Sequence, residues 1–82
     1  MVSNRYRVTV WANRVTELIH DAGFSSKDAA FRSFQRHAAA RILEKNTSVD
    51  LCLVRPNGSG TTLAVKYTDS DRVEIHPAFY GK

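Results

Sequence analysis

Strict alternation of apolar and polar residues dominates four stretches of the chain. In 5–12, RYRVTVWA, one side carries Tyr6, Val8, Val10 and Ala12, and the other Arg5, Arg7, Thr9 and Trp11. A period of two is the signature of a strand with one dry face. The stretch 49–55 repeats it, with Val49, Leu51 and Leu53 set against Asp50, Cys52 and Val54, and Pro56 closes the strand because proline donates no ladder hydrogen bond. In 61–68, Leu63, Val65 and Tyr67 alternate with Thr62, Ala64 and Lys66; in 72–76, Val73 and Ile75 alternate with Arg72, Glu74 and His76. Asn57-Gly58 between the second and third stretches, and Thr68-Asp69-Ser70-Asp71 between the third and fourth, are turn chemistry, so the last three strands read as an antiparallel meander.

A different period governs 26–45. At about 100° per residue, Ala30, Phe31, Phe34, Ala38 and Ile42 form one apolar stripe, while Arg32 and Arg36 fall roughly opposite Phe34. Ser25 is placed to cap this helix, with Asp28 three residues on as a short capping-box partner, and Asn46 can end it in a left-handed conformation. Segment 13–22 admits two readings. As a short helix, Asn13 caps it and Gly23 stops it. As a strand over 14–21 it gives the first strand a neighbour, but neither of its faces is cleanly apolar. Both readings stay open at the level of sequence. The expectation is one two-layer α+β domain spanning 1–82, one long helix (about 26–45) on an antiparallel sheet of four or five strands (5–12, 14–21 on the strand reading, 49–55, 61–68, 72–76).

The chain has 82 residues, 43% of them apolar, which suits a single small folded domain with a modest core. No apolar run is long enough to span a membrane, and the N-terminal stretch lacks the apolar core of a signal peptide. A lone cysteine, Cys52, excludes an internal disulfide, and together these features lead us to expect a cytoplasmic protein. The formal charge of +4 comes entirely from the first half, where Arg5, Arg7, Arg14, Lys27, Arg32, Arg36 and Arg41 outnumber Glu17, Asp21 and Asp28. Such an excess favours an anionic partner, either an acidic protein surface or nucleic acid.

Trp11, Arg5, Arg7 and Lys66 fall on the sheet face that the strand pattern leaves polar, and Arg32 and Arg36 stand one turn apart on the outside of the helix. These six are the candidate partner-binding residues. Tryptophan and arginine are favoured as interface anchors, and a tryptophan on a basic sheet can also stack on a nucleic-acid base. Phe79 and Tyr80, beyond the last strand, are expected to fold back, because adjacent aromatics are costly to leave wet.

Nothing in the sequence assembles a catalytic or metal constellation. Cys52 sits mid-strand among apolar neighbours, His20, His37 and His76 lack ligand spacing, and Asp69-x-Asp71 is a turn before it is a calcium site. Asn57-Gly58-Ser59-Gly60 leads into a strand and lacks the lysine of a phosphate loop. We therefore expect a non-enzyme with no cofactor and no metal.

Phe24, Ser25, Asp28 and Ala29 at the helix entry, with Asn57-Gly58 in the hairpin, resemble the pattern of small bacterial and phage domains of β-β-α-β-β type. Some of these domains resemble phage-encoded inhibitors, including anti-CRISPR proteins, which are non-enzymatic and cover a surface on a host complex. The resemblance implies a small phage or mobile-element binding protein acting on a protein or nucleoprotein complex, such as a CRISPR effector; the alternative is a sequence-tolerant nucleic-acid binding module using the same basic residues. It is stronger on the strand reading of 13–22 and weaker on the helix reading. Because one helix covers only part of such a sheet, uncovered surface can also drive a homodimer.

Overall fold

The computed structural model describes residues 5–12, 17–40, 46–67 and 72–80. One helix packs on an antiparallel sheet of five strands, the two-layer α+β architecture the periodicities require. The strands are β1 (Arg5–Ala12), β2 (Glu17–Phe24), β3 (Ser48–Val54), β4 (Gly60–Lys66) and β5 (Val73–Ile75); the helix, α1, is Lys27–Ala40. In space the order is β2-β1-β3-β4-β5, so the central strand β3 and its neighbour β1 lie beneath the helix. No described helix is long and apolar enough to cross a membrane.

The core forms where the apolar stripe of α1 meets the inner side of the sheet. Ala30, Phe34 and Ala38 pack with Val8, Val10, Val49, Leu51, Leu63 and Ala64, all buried. Phe31 joins at the edge, its ring stacked 6.1 Å from that of Phe34. Arg32 and Arg36 are exposed, as the helical wheel demands. Ile42 and Arg41 lie outside the described residues, as does the turn at 68–71.

Segment 17–24 is a strand, so the helix reading of this region is overturned. Gly23 and Phe24, which look like a helix stop, instead pair with Arg7 and Tyr6. The register slips between Val10 and Trp11: Val10 faces His20, but Trp11 faces Leu18, leaving Ile19 as an extra residue. That β-bulge is why neither face of the segment alternates cleanly. His20 falls on the inner side, where its ring lies 4.3 Å from that of His37 on α1.

A second bulge corrects the reading of β4. Leu51 pairs with Ala64 and Cys52 with Thr62, so Leu63 is inserted and the alternation reverses beyond it. Leu63 and Ala64 both turn inward, Val65 turns outward, and Lys66, opposite Val49, turns into the core. Lys66 is 0% exposed, and its ammonium donates to the Thr47 carbonyl oxygen at 2.9 Å. Tyr67, expected inside, is exposed instead.

The helix start is one residue later than expected. Ser26 caps it: its hydroxyl accepts from the Ala29 amide at 3.4 Å and its carbonyl from the Ala30 amide at 3.0 Å. That places Ala29, not Asp28, at the capping-box position, so no box forms and Asp28 contributes only its charge to the first turn. The expected helix end at 41–45 lies outside the described residues; Asn46 itself takes a left-handed φ of 66°. In the β3–β4 hairpin the Gly58 amide donates to the Arg55 carbonyl, and Gly58 takes φ 89°, which closes a turn around Pro56-Asn57.

After β5, residues Pro77–Tyr80 make one 3₁₀ turn. Phe79 folds back onto the helix, 4.6 Å from the Phe31 ring, and Lys27 donates to its carbonyl at 2.7 Å. Tyr80 stays exposed, so only one of the two aromatics packs against the core, and that one is half-buried.

Candidate binding surface

The helix covers the inner side of the sheet over β1, β2 and β3, leaving a groove toward β5, and no described element packs on the outer side. The registers place the outward side chains of β2, β1, β3 and β4 in rows that run across the sheet. At one end stands Arg5 beside Val54. Next come Arg7, Cys52 and Thr62, followed by Asp21, Thr9, Asp50 and Val65, with Glu74 beyond Val65 on β5. At the far end Trp11 stands between Leu18 and Ser48. Leu18 is 43% and Ile19 46% exposed, so the Trp11 end of the face is apolar and open.

Three of the six candidate residues, Arg5, Arg7 and Trp11, thus share the outer side of one strand. Two others, Arg32 and Arg36, lie on the helix, on the opposite side of the molecule, and neither forms an ion pair among the described residues. The sixth, Lys66, is corrected: it is buried in the core and can touch no partner. The inserted Leu63 reverses the faces of β4, which no alternation count on the sequence reveals.

Electrostatics divide the outer face further. Arg7 grips Asp21 with both ends of its guanidinium: Nε donates to Oδ1 at 2.7 Å and Nη2 to Oδ2. The hydrogen bond to Arg7 holds the Asp21 carboxyl below the usual range. Asp50, at the middle of the face, is different. Its carboxylate accepts no hydrogen bond and joins no ion pair among the described residues, and burial pushes its pKa up. Burial likewise pushes the Cys52 thiol up, the direction opposite to thiol activation. Ser48 next to Trp11 is buried, and its hydroxyl has no partner among the described residues. Tyr67 donates to Glu74 at 3.1 Å, which raises the tyrosine pKa.

Neither the isolation of Asp50 nor an apolar groove beside the helix is visible in the sequence. The groove, about 450 Å³, lies between α1 and β5 and is lined by Phe31, Phe34, Gln35, Ala38, Ala39, Val73 and Ile75. A smaller notch of about 240 Å³ separates Arg5, Arg7 and Gly23 at the basic end of the outer face. Among the described residues no three His, Cys, Asp or Glu side chains converge as a metal site. No protein-family model, curated protein or solved structure matches this chain.

Proposed function

We propose that the chain is a non-enzymatic binding protein that occludes a surface of a macromolecular partner through the outer face of its sheet. The observation that carries this reading is the open face itself, with Trp11, Leu18 and Ile19 exposed or half-buried at one end and Arg5 exposed at the other. An aromatic and aliphatic cluster flanked by charge is the composition of a protein interface core with its rim. A protein partner suits the face better than a nucleic acid does. Asp21 and Asp50 flank Thr9 between the arginines and Trp11, and a phosphate backbone tracking along β1 from one to the other would pass between two carboxylates. The resemblance to phage and mobile-element inhibitors points the same way, toward a host protein or nucleoprotein complex such as a CRISPR effector.

Capture of partners from a host lysate tests the reading. Immobilised wild type and the Arg32→Ala/Arg36→Ala double variant should retain the same protein, and folded Trp11→Ala and Arg5→Glu should lose at least about tenfold in affinity, the scale of an interface anchor. Retention that depends on the helix arginines and ignores Trp11 would refute the assignment of the face. Retention of labelled DNA or RNA that weakens log-linearly with salt would favour the nucleic-acid module instead.

A further inference from the structure

The outer face is complementary to itself. On β1 its side chains run Arg5, Arg7, Thr9, Trp11, spaced about 6.8 Å apart along the strand. The midpoint of that series falls between the Arg7 row and the Thr9 row. We propose that two copies of this chain pack outer face to outer face about a two-fold axis crossing the strands at that midpoint.

Such an axis turns each strand over itself in the opposite direction. Arg5 of one copy then lies over Trp11 of the other, a cation on an indole face. Arg7 lies over Thr9, with Asp50 and Asp21 of the other copy on either side. Asp50, whose carboxylate lacks a partner among the described residues, thereby gains a guanidinium, and does so twice by symmetry. Sheets stacked face to face sit about 10 Å apart with strands inclined by about 30°, which leaves room for arginine and tryptophan side chains between them.

Other surfaces fit a second copy less well. The free edge at β2 carries Glu17 and Asp21, so edge-to-edge pairing would bring acids together. β5 offers an edge of only three residues. The helix exteriors would oppose Arg32 and Arg36 to themselves. The area is sufficient for a weak dimer: five strands about 4.8 Å apart and about 22 Å long give about 500 Å² per copy, near 1,000 Å² in total, at the lower bound of specific interfaces. The dimer is therefore reversible and closes the binding face in the free protein, so partner and second copy compete. It can fail without the partner-binding reading failing: a monomer that still captures a protein through Trp11 removes only the dimer.

Sedimentation velocity and light scattering from about 1 µM to about 1 mM, a range bracketing the weak affinity such an area supports, should show the mass rising from one chain toward two and no further. Asp50→Lys, which meets Arg7 of the second copy with a like charge, should raise the dissociation constant at least about tenfold, the factor for losing one desolvated charge contact. Trp11→Ala should do the same, and Arg32→Glu/Arg36→Glu should change nothing. Circular dichroism checks that each variant folds, and if Trp11→Ala does not, Asp50→Lys decides. A wild type that stays monomeric across the range overturns the proposal. So does growth beyond a dimer, a dimer indifferent to folded Asp50→Lys, or one lost on changing the helix arginines.

Discussion

Replacing Lys66 with alanine is expected to destabilise the fold by about 2–4 kcal/mol and to lower the melting temperature by at least about 10 °C. The side chain is wholly buried and its ammonium donates to the Thr47 carbonyl. Truncation removes a charge-assisted hydrogen bond, leaves a carbonyl without its donor and opens a cavity the length of the lysine stem. Lys66→Met separates these effects. It keeps most of the volume and removes a charge that is costly to desolvate, so it should lie within about 1–2 kcal/mol of wild type on either side. Urea or thermal unfolding of the three proteins measures the differences. If Lys66→Ala unfolds within about 0.5 kcal/mol of wild type, as a surface lysine would, the reversal of β4 at Leu63 is wrong.

Phe34→Ala should cost about 3–5 kcal/mol, against a total stability of roughly 4–12 kcal/mol for a chain of this length. Phe34 is fully buried at the centre of the contact between α1 and β1/β3, and nothing else in the helix stripe can fill its place: Ala30 and Ala38 are small, and Phe31 is held at the edge by Phe79. At the lower bound of stability the variant is largely unfolded at 25 °C. Arg32→Ala and Arg36→Ala should each stay within about 0.5 kcal/mol, because both side chains are exposed and form no ion pair among the described residues. Denaturation curves in which the arginine variants lose as much as Phe34→Ala would contradict the orientation of the helix.

Legibility in the sequence tracks the regularity of each element. β1 and β3 alternate without interruption, so their inward residues, Val8, Val10, Val49 and Leu51, can be read directly, and the stripe of α1 is as plain. β2 and β4 each carry an inserted residue, Ile19 and Leu63, and a bulge defeats a count of two because it depends on the partner strand's register. One bulge disguised a strand as a short helix; the other moved Lys66 from the surface to the core. The helix cap slipped by a residue because Ser25 and Ser26 have the same chemistry, and only the backbone path chooses between them.

The candidate site shows the same division. Arg5, Arg7 and Trp11 share a face because β1 is regular. That Arg7 is engaged by Asp21 requires the β1–β2 pairing, fourteen residues apart in sequence. Asp50 looks like any outward polar residue; its isolation follows from its neighbours Thr9 on β1 and Val65 on β4, neither of which offers it a charge.

Trp11 is the sole tryptophan of the chain, so its fluorescence reports on the outer face alone. Emission and acrylamide quenching of the dilute native protein therefore test most directly whether that face is open. A half-buried indole beside exposed Leu18 and Ile19 should emit at intermediate wavelength and be readily quenched when dilute, and become shielded as a second copy or a partner is added. Blue-shifted emission that resists quencher even at the lowest concentration would mean the face is already covered by the chain itself, and the account of it as the working surface would fall.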